Sequence, residues 1–109
     1  MSVNIILEEI KINTINFIWD TLIQNQSIAP NRFQLLQILL VFTVYTNSIE
    51  KARWLSENFS YEDRKNALEA ILSPWCMNII HMIGIEVPPS RSKSPDNVMD
   101  LNQIKPEIP

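Results

Sequence analysis

Cys76 and His81 are the residues best suited by type to nucleophilic chemistry, a thiol and an imidazole five positions apart. On a helix that spacing separates two side chains by about 140° in azimuth, so the pair does not converge. No third group stands where it would orient the base. The sequence predicts a small buried thiol and a surface imidazole. One cysteine and one histidine also cannot assemble a four-ligand zinc site by themselves, and a single thiol rules out an internal disulfide framework.

The paired carboxylates Glu8/Glu9 and Glu62/Asp63 are neighbours in sequence, and adjacent side chains diverge on a helix. They read as solvated faces or helix-start charges rather than an acid–base pair. Gly84 is the chain's one glycine. Glycine-rich phosphate loops, dinucleotide fingerprints and nucleophile elbows each need at least two at fixed spacing, so all three are excluded. The expectation is a protein with no catalytic residues, no cofactor and no metal.

Tryptophan and arginine dominate the energetics of protein interfaces, which draws attention to Trp54 and its neighbours Arg53 and Lys51. The helix that carries them buries Ile49, Ala52, Leu55 and Phe59 on one face by their spacing. Trp54 lies roughly opposite. It either meets a partner, with Lys51 and Arg53 on the rim, or packs on the first helix or the tail of its own chain.

The elements that position these residues follow from hydrophobic periodicity. The 109-residue chain is 46% hydrophobic and 19% charged, the profile of one folded domain. A first helix is predicted over about Val3–Gln24, a stretch without glycine or proline. Its wheel has two apolar arcs. Val3, Ile6, Leu7, Ile10 and Phe17 form one; Ile5, Ile12, Ile15, Ile18, Trp19, Leu22 and Ile23 form the other. A second helix, with Pro30 in its first turn, runs to about Tyr45 and is apolar in nearly every direction, so it should be buried all round. Asn47 and Glu50 suggest a capping-box start for a third helix over about Ser48–Asn58. Ser60, followed by Glu62 and Asp63, opens a fourth. That fourth helix carries a seam of Tyr61, Leu68, Leu72, Trp75, Ile79 and Met82 that keeps phase through Pro74, where the helix kinks or splits. Gly84 caps its end.

The expected fold is therefore all-α: a small bundle of four helices over residues 1–85, the last kinked or split at Pro74. An extended or disordered Pro-rich tail over 86–109 follows, holding five of the seven prolines. The tail offers a Ser-Pro dipeptide in a basic setting at 91–95 and a short amphipathic stretch with Val98, Met99, Leu101 and Ile104. It ends in a minimal PxxP at 106–109.

A net charge of −3, with basic residues interleaved with acids, argues against nucleic acid as a partner. A helix-turn-helix reading fails on Glu50 and Glu57 in the would-be reading helix. The longest apolar run, Leu35–Tyr45, falls short of a membrane span. Acids stand where a secretory signal would be basic, which points to a cytoplasmic protein.

An 85-residue body buries only about 60–65% of its unfolded surface, yet two of its helices call for near-complete burial. A second copy of the chain is the simplest cover. The expected function is a non-enzymatic protein–protein interaction module, a small regulatory, adaptor or assembly protein that forms a homodimer. Its contact residues would be Trp54, Arg53, Lys51, Ile12, Ile15 and Trp19. The alternative is a helical-bundle carrier of an apolar ligand, which would use the same aliphatic residues to line a cavity.

Overall fold

A computed structural model describes residues 2–86, and every element in it is helical. The protein is all-α. Among the described residues there are five α-helices and one 3₁₀ turn. The tail motifs at 91–95, 98–104 and 106–109 lie outside the described residues.

Helix α1 (Val3–Gln24) begins where the Ser2 hydroxyl accepts from the Ile5 amide at 3.3 Å. It stops at Asn25, and a 3₁₀ turn over Gln26–Ile28 reverses the chain. Pro30 sits one residue before the cap of α2 (Arg32–Thr46), not in its first turn as expected. The capping residue is Asn31, whose Oδ1 accepts from the Gln34 amide at 2.9 Å.

Asn47 ends α2 in the left-handed region, φ 51°, and its amide bonds back to the Thr43 and Val44 carbonyls. Asparagine tolerates that conformation better than other side chains except glycine. Since Asn47 closes α2, the cap of α3 (Ile49–Asn58) falls to Ser48, whose hydroxyl accepts from the Lys51 amide at 3.1 Å. The expected Asn47 cap is thus displaced by one residue.

Ser60 caps α4 (Tyr61–Glu69), with Glu62 and Asp63 in the first turn as the macrodipole favours. The helix does not continue to Pro74. Ala70 is extended, and the chain restarts as α5 (Pro74–Ile83), with Pro74 at the first helical turn and the Ser73 hydroxyl capping the Cys76 amide at 3.2 Å. Proline pushes the residue before it out of the helical region and suits the first turn of a new helix, so the chain splits rather than kinks.

The split also breaks the seam expected to run through it. Leu68 and Leu72 are buried, Trp75 and Ile79 are half-buried, and Tyr61 and Met82 are exposed. The interior faces are instead Arg64, Ala67 and Leu68 on α4 and Cys76 and Ile80 on α5. Ile49, assigned by spacing to the buried face of α3, is 75% exposed.

The core is organised around α2, which touches α1, α3, α4 and α5. Leu35, Leu36, Gln37, Ile38, Leu39 and Leu40 are consecutive and all buried, followed by Phe42 and Thr43. Six successive residues point in every direction around a helix, so α2 is enclosed on all sides. Full burial of each large aliphatic side chain contributes roughly 1.5–3 kcal/mol. Gln37 is a buried polar residue, as Thr43 and Arg64 are: its amide donates to the Ile71 carbonyl at 3.1 Å and its Oε1 accepts from the Ser73 amide at 3.4 Å. It satisfies backbone groups of the α4–α5 link, which carries no ladder of its own. No helix of the described residues is long and apolar enough to cross a membrane.

Candidate functional site

The six residues singled out from the sequence occupy three depths. Ile15 is fully buried and Trp19 is 6% exposed, both in the core against α2 and its neighbours. They support the surface from beneath instead of lying on it, because the second arc of α1 is the one that packs on the body. Ile12 and Lys51 are half-buried, as is Trp54, and Arg53 is exposed.

Trp54 packs on its own chain. Its ring meets Trp19 edge-on at 5.6 Å and 72°, and Phe59 at 6.2 Å and 61°. Edge-to-face contact places the positive ring edge of one aromatic against the negative face of the other. Two cations flank the cluster. The Lys51 ammonium lies 5.3 Å from the Trp19 ring centroid and donates to Asn16 Oδ1 at 2.6 Å. The Arg32 guanidinium lies 4.1 Å from the Phe59 ring centroid and donates to the Asn58 carbonyl at 2.7 Å. These contacts join α1, α2 and α3 along one side of the molecule. A cleft of about 340 Å³ opens there among Asn16, Trp19, Asp20, Glu50, Lys51 and Trp54. Its lining is polar and charged around two aromatic rings, unlike the apolar cavity an aliphatic ligand would require.

The residues suited to catalysis stay apart. Cys76 is fully buried in α5, where its Sγ faces the Gln34 carbonyl at 3.4 Å and Gln37 Oε1 at 3.9 Å. Burial pushes its thiol pKa up, against hydrogen bonds from Ser73 that favour the thiolate. His81 is exposed at the other end of the helix. Glu8 accepts a hydrogen bond from the Tyr45 hydroxyl, while Glu9 points to solvent. Among the described residues no three His, Cys, Asp or Glu side chains lie close enough to hold a metal ion.

The surface that sequence reasoning passed over is the other arc of α1. Residues 2–10 are exposed without exception. The apolar ones on this arc are Val3, Ile6, Leu7 and Ile10, and Phe17 extends the stripe at 72% exposure; Ile5, on the arc that packs further along, is exposed as well. The signal that could have found it was the relative size of the two arcs. The larger arc, ending in Trp19, Leu22 and Ile23, runs to the end of the helix where the chain turns back into α2. That arc had to face the body, which left the smaller one outside.

Compared with family models, curated proteins and solved structures, the chain matches none of them.

Proposed function

We propose that this is a non-enzymatic, cytoplasmic protein–protein interaction module, and that its contact surface is the outer arc of α1. One observation carries the reading: Val3, Ile6, Leu7 and Ile10, the apolar residues on one side of the first turns of α1, are all exposed, although the Tyr45 hydroxyl reaches Glu8 in the same segment. Isoleucine-rich helix is intrinsically weak in water and forms when something packs against it. A contiguous exposed apolar stripe of this kind marks an interaction site more often than it marks bare solvent-facing surface. The rest of the molecule serves as a platform. We read α4 and α5 as one interrupted member of a four-helix bundle that clamps the second half of α1 through Ile15, Trp19 and Leu22 and projects the first half outward. Trp54, Lys51 and Arg53 flank the base of that projection.

Amide hydrogen exchange over residues 3–14, in the full chain at about 100 µM, tests the reading, since a covered helix exchanges slowly and a bare terminal one frays. The expected result is protection comparable to the second half of α1, abolished by Ile6→Asp while the α2 amides stay protected. Free exchange in the unaltered chain, insensitive to Ile6→Asp, would mean that nothing docks on this arc.

A further inference from the structure

We infer that the occupant of the α1 outer arc is a second copy of this chain, paired with the two α1 helices parallel. The inference rests on the interaction reading above and names its partner. Val3, Ile6, Ile10, Asn13 and Phe17 follow one another at steps of three, four, three and four, and all five are exposed. That is the spacing of a coiled-coil seam, with Leu7 beside it. Ile15 and Leu22, on the opposite side of the same helix, are the residues locked into the body. Each helix therefore has one stripe for its own chain and one left for a helical partner.

Self-pairing fits this stripe in three respects. No seam position from Val3 to Phe17 is charged, so two copies meet without burying like charges. Glu9 flanks the seam, and in parallel pairing it lies across from Thr14 of the partner subunit; an antiparallel pair centred on Ile10 would set it against a second Glu9. Asn13 gives the same answer. In parallel register its amide meets an identical amide, which offers both donor and acceptor. In the antiparallel arrangement it would be buried against the aliphatic Leu7, without a partner.

The area lies at the low end of the range. The five exposed apolar residues of this arc, Val3, Ile6, Leu7, Ile10 and Phe17, present on the order of 500 Å² per copy, against about 800 Å² per partner in a standard interface. Asp20 takes the next seam position, so the helices part beyond Phe17, where α1 is occupied by Trp19 and Leu22 packing on its own body. An interface of this size, built on a helix already held at one end, should associate in the micromolar range.

Absolute mass by light scattering behind a sizing column, on the full chain from about 1 to about 100 µM, reads the association directly. The expected result is a rise from 12.7 kDa towards twice that value. Ile10→Asp should raise the dissociation constant at least 10-fold, with Trp fluorescence unchanged and any loss of helical circular dichroism confined to the first turns of α1. Val3→Cys should form an intermolecular disulfide on mild oxidation, as only the parallel register allows. A one-chain mass at the highest concentration overturns the inference. If the α1 amides are protected in that monomer, the arc is occupied from within the chain, and Leu101→Asp with Ile104→Asp should release it. If they are unprotected, the interaction reading falls as well. A dimer that survives Ile10→Asp, or one that Val3→Cys does not cross-link, removes the proposed seam or its register respectively.

Discussion

The first half of α1 and the whole of α2 are made from the same residues and meet opposite fates. Both are rich in Ile, Leu and Val, and both lack glycine and proline. Yet Leu35–Leu40 are all buried and residues 3–10 are all exposed. The apolar demand is alike; the chain's opportunity to meet it differs. α2 is covered by α1 from one side and by α3, α4 and α5 from the others. The start of α1 has little chain to cover it: the Tyr45 hydroxyl bonds to Glu8, and the stem of Lys11 passes beside Gly84. Apolarity all round a helix thus states a requirement for burial, and topology decides whether the monomer fulfils it.

The sharpest way to break this comparison is to cut a large side chain from each helix. Phe42→Ala removes a ring with no solvent exposure and should cost about 3–5 kcal/mol in urea-induced unfolding. Ile6→Ala, measured at a dilution where the protein has the mass of one chain, should cost less than about 1 kcal/mol. Similar costs for the two would mean that α1 is covered within the monomer. Next in size is Gln37→Leu, which keeps the volume in α2 but strands the Ile71 carbonyl and the Ser73 amide. A loss of about 2 kcal/mol is expected for buried backbone groups left without partners. No loss would show that water replaces the amide and that the α4–α5 link is open.

Smaller again is Trp54→Leu. Edge-on aromatic pairs contribute about 0.5–1.5 kcal/mol beyond area burial, so losing the contacts to Trp19 and Phe59 should cost roughly 1–2 kcal/mol. That cost should be the same in a dimer and in a dissociated chain, because both contacts are internal. A variant that destabilises only the dimer would move Trp54 to the interface and shift the contact surface from the outer arc of α1 towards α3.

The helical class, the span of α1 and the all-round burial of α2 were legible because they depend on composition and period, which are local. Ser60 and Gly84 were legible as caps for the same reason. What was not legible depended on which of two similar faces the rest of the chain would choose. Ile15 and Trp19 carry the same signal as Ile10 and Phe17 on a helical wheel; the return of α2 against one arc separates them. Gln37 gave no signal at all, since its role is set by backbone groups 34 and 36 residues away. The seam through Pro74 misled because a regular spacing of apolar residues says nothing about a break in the helix that carries it. Four residues, Ala70 to Ser73, separate the two helices and reset the phase, and Met82 ends in solvent.

The smallest expected effect lies where the two compared regions touch. Tyr45, near the end of α2, donates its hydroxyl proton to the Glu8 carboxylate on the exposed half of α1. Burial, then the hydrogen bond and the nearby charges of Glu8 and Glu86, push the phenol up from 10.0 to about 12. A phenolate beside a carboxylate would place two anions together, so the folded protein holds a proton that the unfolded chain releases near its ordinary pKa. The stabilisation is fully present below about pH 10 and is lost as the pH rises towards about 12. Unfolding midpoints of the native chain and of Tyr45→Phe should therefore differ by a constant amount from about pH 8 to 10 and converge above it. Tyr45 phenolate absorbance, read as the difference between the two proteins, should emerge near the upper limit. A difference that persists unchanged through this window would mean that the link between the end of α2 and the first turns of α1 is not made in solution, and that the exposed arm of α1 is held by the body at Lys11 and beyond.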